Sequence, residues 1–114
     1  MEVTIWHNPR CSKSRQTLEL LRDRGVEPKV VEYLKNPPSE AEIRRVLDLL
    51  DIPAKSLVRR KEAAYREEGL SDKAEEGKLV EAMAHHPILI ERPVVITDEA
   101  AAIGRPPEAV LSII

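Results

Sequence analysis

The stretch EVTIWHNPRCSKSRQTLELLRDRGVEPKVVEY, residues 2–33, decides the fold of this chain. It opens with a short apolar, β-branched run over residues 2–7, which predicts a strand, and Asn8-Pro9 marks the turn that follows. The run EPKVVEY over residues 27–33 predicts a second strand. Because two strands joined by a helix form a βαβ unit, these strands should be parallel, with a right-handed crossover.

The segment between these strands predicts a helix that begins near Ser12. Leu18 and Leu21 fall on one face of this helix, and Gly25 is suited to a left-handed cap at its end. The only cysteine of the chain, Cys11, therefore follows a strand and its turn and stands at the start of a helix.

The rest of the chain adds helices, two strands and a last helix. In NPPSEAEIRRVLDLL, residues 36–50, Ser39 and Glu42 fit a capping box at the start of a helix. Later segments predict, in order, short helical pieces over residues 53–86, two strands in the β-branched runs of PILIERPVVITDE (residues 87–99), and a final helix in RPPEAVLSII (residues 105–114).

This order of elements is that of an α/β thioredoxin-like fold, with a mixed sheet and a helical insertion before the final hairpin. We expect a single domain over residues 1–114, with the thioredoxin-like core in residues 1–35 and 87–114 and the helical insert in about 39–86. That fold keeps its reactive thiol just after the first strand, where Cys11 lies. Fold alone does not assign a function.

The charge, the N-terminal residues and the cysteine count of the chain exclude several classes of protein. The chain has 114 residues and a formal charge of −2 with interspersed signs, which argues against a nucleic-acid binder or a membrane-surface binder. The opening MEVTIW lacks the features of a signal peptide and no run reaches transmembrane length, so we expect a cytoplasmic protein. One cysteine excludes an internal disulfide, and the Cys and His spacing suits no metal site, so redox chemistry needs a thiol from another molecule.

Cys11 is either a small buried side chain or a reactive thiolate. The free backbone N–H groups and the dipole of a helix N-terminus favour a thiolate at this position. Arg10, Lys13 and Arg15 add positive charge within a few residues, which should lower the pKa of the thiol. These polar neighbours favour the thiolate, and Ser14 stands where a dithiol enzyme would hold a second cysteine.

The same donors would bind an oxyanion, because a helix N-terminus is an anion site. Arginine suits this ligand, since its planar fork makes two parallel bonds to a tetrahedral oxyanion. Three arginines are candidates for completing the site, namely Arg59, Arg92 and Arg105. Pro93 is a candidate for a cis peptide bond. His7 either tunes the thiol or makes a hydrogen bond within the loop.

Several motifs resemble the glutaredoxin-coupled arsenate reductases and their arsenate-reductase-like relatives, over essentially the whole chain. IWHNPRCSKSRQTLELL (residues 5–21) resembles the opening strand and cysteine loop of that family, and YLKNPPS (residues 33–39) resembles its exit from the second strand. RRKEAAYREEGL (residues 59–70), HPILIERPVVIT (residues 86–97) and IGRPPEAVL (residues 103–111) resemble its later segments.

The resemblance implies a role for each matching residue. Cys11 matches the nucleophile, and the oxyanion-binding arginines match Arg59, Arg92 and Arg105; counting back from Tyr65 and Lys61 favours Arg59 over Arg60. The supporting residues expected around the sulfur are His7, Asn8, Ser14 and Arg15, of which His7 matches a histidine thought to help lower the thiol pKa. Gly104 stands where longer members often have cysteine.

The implied activity is reduction of arsenate to arsenite by a Cys11 thiolate, as in arsenical resistance. The resemblance implies glutathione as co-substrate, glutaredoxin or an equivalent thiol donor as partner, and no bound cofactor. Two alternatives stay open. One is a monothiol glutaredoxin-like oxidoreductase that acts on glutathione mixed disulfides. The other is a non-catalytic adaptor that binds RNA polymerase, similar to transcription-regulating relatives, many of which have a second cysteine at the position of Ser14.

Overall fold

The computed structural model describes residues 2–114. Within these residues four strands form one sheet: β1 (Thr4–His7), β2 (Lys29–Glu32), β3 (Val94–Ile96) and β4 (Ala101–Ile103). The strand order is β2-β1-β3-β4, with β2 parallel to β1, and β3 antiparallel to both β1 and β4. The parallel pair and the mixed sheet confirm the predicted thioredoxin-like fold.

Helices connect these strands and fill the segment between β2 and β3. The α-helices are α1 (Ser12–Asp23), α2 (Glu40–Leu50), α3 (Ala63–Glu67) and α4 (Glu76–His85), and short 3-10 helices cover Ala54–Ser56, Pro87–Leu89 and Pro107–Ile113. The capping box predicted for α2 is present: the Ser39 N–H donates to Glu42 Oε1 at 3.0 Å, and the Glu42 N–H donates to Ser39 Oγ at 3.1 Å.

The chain divides into two compact units. The first combines the residues up to 36 with residues 92–114 and contains the whole sheet, α1 and the last 3-10 helix. One buried cluster of this unit is aliphatic and contains Val3, Ile5, Leu21, Val95 and Val110. Each such side chain contributes roughly 1.5–3 kcal/mol by leaving water. This cluster packs α1 against β1.

Helix α1 ends as the sequence predicts. Gly25 has a φ of 78°, a left-handed conformation that glycine adopts without a steric penalty. The Gly25 N–H donates to Arg22 O at 3.0 Å and the Val26 N–H donates to Leu21 O at 2.9 Å. These two bonds are the Schellman arrangement, which satisfies carbonyls at the helix end and turns the chain toward β2.

The second unit, residues 37–91, has its own helical core. Ile43 and Val46 of α2 and Val80 and Met83 of α4 are buried, and the two helices pack together. Glu76 in the first turn of α4 accepts the Ala54 N–H on both carboxylate oxygens, at 2.9 Å each. This carboxylate therefore caps the 3-10 helix that begins at Ala54.

Of the two strands predicted within residues 87–99, only the second is present. The first β-branched run forms a 3-10 helix over Pro87–Leu89, and Ile90 makes an isolated bridge to Val58. The second run forms β3. Its hairpin partner is β4, Ala101–Ile103, a segment that was not predicted to be a strand. Thr97 closes this hairpin, because its Oγ1 accepts the N–H groups of both Glu99 and Ala100. The predicted final helix is present as a 3-10 helix.

Candidate active site

A tight turn carries the chain from β1 to the cysteine. The Cys11 N–H donates to Asn8 O at 3.0 Å, and the Arg10 N–H donates to Asn8 Oδ1 at 3.0 Å. Pro9, whose ring fixes φ, occupies the second position of this turn. Cys11 is then the N-cap residue of α1, with extended backbone angles (φ −94°, ψ 122°).

The thiol of Cys11 meets the N-terminus of α1 and is partly exposed. Partial burial alone raises the pKa of the Cys11 thiol, but hydrogen bonds from the backbone N–H groups of Ser14 and Lys13 and the charges of Arg92 and Arg105 outweigh it. The net pKa is therefore lowered. First-turn N–H groups have no partner within the helix, so they are available to an anionic sulfur.

Arg105 joins the cysteine to the segment that leads into β3. Its Nη2 donates to Cys11 Sγ at 3.5 Å, and its Nε donates to the Arg92 carbonyl oxygen at 2.8 Å. The Arg92-Pro93 peptide bond is cis, the state for which the sequence made it a candidate, and the Arg105-Pro106 bond is also cis. Of the three arginines predicted to bind an oxyanion, Arg105 contacts the Cys11 sulfur, and the charge of Arg92 acts on the thiol.

Hydrogen bonds fix the conformation of the loop between β1 and α1. Arg15 Nη1 donates to the Pro9 carbonyl oxygen at 2.9 Å, which braces the turn from the first part of α1. His7 Nδ1 lies 2.6 Å from Ser14 Oγ, and the Asn8 N–H donates to the same oxygen at 3.0 Å. Ser14 is fully buried, so its hydroxyl ties the end of β1 to the first turn of α1.

His7 takes the second of the two roles left open by the sequence, a hydrogen bond within the loop. Burial lowers the pKa of His7, against an opposing effect of Glu32, and the charges of Arg22 and Arg15 lower it further. The imidazole is therefore neutral at neutral pH. Its partner Ser14 also supplies a backbone N–H that faces the Cys11 sulfur.

Arg59 belongs to the second unit. Its Nη2 pairs with Glu62 Oε1 at 2.7 Å, and its Nη1 donates to the Ile88 carbonyl oxygen at 3.3 Å. The neighbouring Arg60 is more exposed and pairs with Asp72 at 3.1 Å. The guanidinium of Arg59 is thus held by two partners of its own unit, and its assignment to the oxyanion site stays a prediction.

Two contacts near the cysteine were not predicted from the sequence. Gly104 is buried against Thr17 of α1, and the Arg92 backbone is bonded by Arg105. The run Gly104-Arg105-Pro106 could have drawn attention to a tight backbone approach, because glycine beside proline marks constrained segments. Within residues 2–114, no group of three or more His, Cys, Asp or Glu side chains could hold a metal ion. Nor does any helix described there have the length and apolar character needed to span a membrane.

A family model described as the ArsC family matches residues 6–113. The chain belongs to the ArsC family. The structure superimposes on an arsenate reductase from Vibrio cholerae with a TM-score of 0.95 at 45% identity, covering 100% of this chain and 98% of that one. A putative arsenate reductase from Yersinia pestis gives a TM-score of 0.93 at 49% identity, over 98% of this chain and 100% of that one.

Sequence relatives of this ArsC-family chain agree with the structural ones. An arsenate reductase of Rhizobium meliloti (strain 1021) is 44% identical, over 100% of this chain and 82% of that protein. The Escherichia coli K12 protein YfgD, named as uncharacterized, is 50% identical, over 99% of this chain and 97% of that protein. These findings confirm the resemblance to the arsenate reductase family that the sequence motifs indicated.

Proposed function

We propose that this protein reduces arsenate to arsenite through a Cys11 thiolate, with glutathione and glutaredoxin supplying the electrons. One observation carries the proposal: the Cys11 sulfur stands at the N-terminus of α1 with an Arg105 guanidinium nitrogen 3.5 Å away. A thiolate and oxyanion donors then share one site. The names of the relatives from Vibrio cholerae and Rhizobium meliloti support arsenate as the substrate.

The first chemical step forms a bond between sulfur and arsenic. The Cys11 thiolate attacks the As(V) centre of arsenate, and one arsenate oxygen leaves as water after it takes up two protons. This condensation changes no oxidation state. The lowered pKa of Cys11 favours the thiolate, and the guanidinium groups stabilise the negative charge of the arsenate oxygens as they reorganise.

The second stage reduces arsenic and needs two further thiols. Glutathione replaces a second arsenate oxygen, which takes up the thiol proton and one further proton and leaves as water, so that arsenic stays As(V); a glutaredoxin thiol then attacks the glutathione sulfur. The two electrons of the As–S bond that breaks stay on arsenic, which becomes As(III), while the two external thiols become one disulfide. Because Cys11 is the only cysteine in the sequence, both thiols come from other molecules. Water then releases arsenite and regenerates the Cys11 thiol.

Three arginines are assigned to binding the arsenate oxyanion. Arg105 and Arg92 lie in the first unit with Cys11, and their positive charges lower its pKa. Arg59 is the third proposed arginine, on the strength of its match to the family motif. Planar guanidinium groups make paired bonds to a tetrahedral oxyanion, which lysine does not reproduce.

A coupled assay tests the proposal. NADPH oxidation is followed with arsenate, glutathione, glutaredoxin and glutathione reductase, and in parallel with thioredoxin and thioredoxin reductase. We expect arsenate-dependent turnover in the glutaredoxin arm that Cys11→Ser abolishes. Turnover only with thioredoxin would overturn the choice of donor. Absence of any arsenate-dependent rate, alongside normal turnover of a glutathione mixed disulfide, would instead indicate the glutaredoxin-like oxidoreductase.

A further inference from the structure

We infer that Glu62 is a positioning residue for the proposed arsenate site: its carboxylate holds the Arg59 guanidinium in the orientation that binds the oxyanion. The inference rests on the proposed function, since it takes Arg59 as one of the arginines that bind arsenate. It adds a residue that acts on the anion only through Arg59.

The backbone of Arg59 is fixed by its neighbours in the second unit. The Arg59 N–H donates to the Leu89 carbonyl oxygen at 2.7 Å, and the preceding residue, Val58, makes the isolated bridge to Ile90. Val58, Leu89 and Ile90 are all buried. An unrestrained arginine side chain samples many rotamers, so this fixed backbone does not by itself place the guanidinium.

Two contacts at the far end of the Arg59 side chain place the guanidinium. Nη2 pairs with Glu62 Oε1 at 2.7 Å, and Nη1 donates to the Ile88 carbonyl oxygen at 3.3 Å. The contact with the carboxylate is shorter and joins two charged groups, so it is the stronger of the two. A guanidinium carries five N–H donors, and donors therefore remain for an oxyanion after these two bonds.

The side chain of Glu62 is directed to Arg59 and not to the helix that Glu62 begins. Glu62 is the N-cap residue of α3, yet within residues 2–114 its side chain makes no capping hydrogen bond. The side chains of Arg59 and Glu62 are 21% and 25% exposed, against 50% and 80% for the neighbouring pair of Arg60 and Asp72. Water therefore screens the Arg59–Glu62 pair less, and the Arg60–Asp72 pair is its matched control.

The negative charge of Glu62 has a second effect, because it also repels an arsenate anion bound to Arg59. Glutamine and alanine at this position separate the two effects. Both substitutions remove the charge, and only glutamine keeps a side-chain oxygen that accepts a hydrogen bond from Arg59 Nη2. The difference between Glu62→Gln and Glu62→Ala therefore measures positioning without the change in charge.

The measurement is the arsenate concentration that half-protects Cys11 from alkylation by iodoacetamide, which needs no turnover and no reductant. We expect Glu62→Ala to require roughly fivefold more arsenate than Glu62→Gln, the effect of losing one hydrogen bond to the guanidinium. When Arg59→Ala is added to each variant, the two should require equal arsenate concentrations. A merely structural role of Glu62 would leave the difference in place without Arg59.

Two controls accompany the test. Asp72→Asn and Asp72→Ala make the same pair of changes at the partner of Arg60, and they should require equal arsenate concentrations. The pH profile of Cys11 alkylation should be the same in Glu62→Gln and Glu62→Ala, because the arginine charges that lower the pKa of Cys11 are those of Arg92 and Arg105.

Each contrary outcome refutes a different statement. Equal arsenate requirements of Glu62→Gln and Glu62→Ala, with protection weakened by Arg59→Ala, would overturn the inference and leave the proposed function standing. Protection that Arg59→Ala leaves unchanged would remove Arg59 from the site, and the inference with it, while arsenate remained the substrate. Wild-type protein that alkylates as a thiolate but gains no protection from arsenate would refute the proposed substrate and the inference together.

Discussion

The chemistry of Cys11 depends on backbone atoms as much as on side chains. Its position as N-cap of α1, and therefore the donors of the first turn, could be predicted from the strand and the Asn8-Pro9 turn before it. The bond from Arg105 to the Arg92 carbonyl could not, because it joins residues 13 apart through the packing of Gly104. The residues around Cys11 are enough to predict the N–H donors of the first turn of α1. A contact between segments distant in sequence forms only once the core has assembled.

Arg59 and Arg60 provide a paired test of the assigned oxyanion residues. We expect Arg59→Lys to raise the KM for arsenate roughly tenfold, because lysine lacks the planar fork that grips two oxygens. Arg60→Lys should leave the KM unchanged, since its partner is the exposed Asp72. The glutaredoxin-coupled assay measures both. Equal KM values for the two variants would remove Arg59 from the site.

His7 should make folding stability depend on pH. Burial lowers the pKa of His7 below its ordinary value of 6.5, so the unfolded chain takes up a proton at a higher pH than the folded protein. The stabilisation from His7 is complete above pH 6.5 and is lost as the pH falls through the folded-state pKa. Denaturant unfolding of wild type and His7→Asn across this pH range measures the effect.

We expect wild type and His7→Asn to differ in how steeply the free energy of unfolding changes with pH. Wild type should lose stability on acidification more steeply than His7→Asn, which has no imidazole to protonate. Parallel pH profiles for the two proteins would show that the pKa of His7 is the same in the folded and the unfolded chain, contrary to the expectation.

Among the helices and strands, the sequence predicted correctly those elements whose ends carry a specific capping residue, and it missed or misassigned short elements without one. The Ser39 capping box and the Gly25 cap formed as predicted because each depends on residues within one turn. Strand β4, Ala101–Ile103, was missed because alanine carries little strand preference, and tertiary pairing with β3 creates the strand. The apolar run after Pro87 was misread as a strand because short apolar runs do not distinguish strand from helix.

The capping box of α2 gives a stability prediction at this scale. Ser39→Ala removes the oxygen that accepts the Glu42 N–H and should lower the free energy of unfolding by about 1 kcal/mol. Ser56→Ala, at an exposed serine of a 3-10 helix, should change it by less than about 0.5 kcal/mol. Chemical denaturation measures both values, and a loss of similar size in the two variants would argue against the cap.

At the scale of the whole molecule, the order of elements was enough to predict the fold. A parallel βαβ unit followed by helices and a hairpin leaves few sheet topologies. The order of elements does not fix the exact residue at which one compact unit ends and the other begins. Residues 87–91 group with the second unit because Ile90 pairs with Val58 and the Glu91 N–H donates to Leu57 O.

Charge around the thiol should affect the rate at which anions reach it. Arg10, Lys13, Arg15 and Arg105 are exposed near Cys11, although the chain as a whole carries a formal charge of −2. We expect alkylation by the anion iodoacetate to slow by a few-fold as the Debye length falls from about 10 Å at 0.1 M salt to about 3 Å at 1 M. Alkylation by neutral iodoacetamide is the matched control and should not slow. Equal salt dependence of the two reagents would contradict local steering.

The central claim is that one thiolate and one oxyanion site coincide at Cys11, and the pH profile of Cys11 alkylation with and without arsenate tests it most directly. We predict a midpoint below that of an ordinary cysteine, because the first-turn N–H groups and the two arginines outweigh burial. Arsenate should also slow alkylation competitively. A midpoint at the ordinary thiol value, together with a rate that arsenate leaves unchanged, would contradict the account.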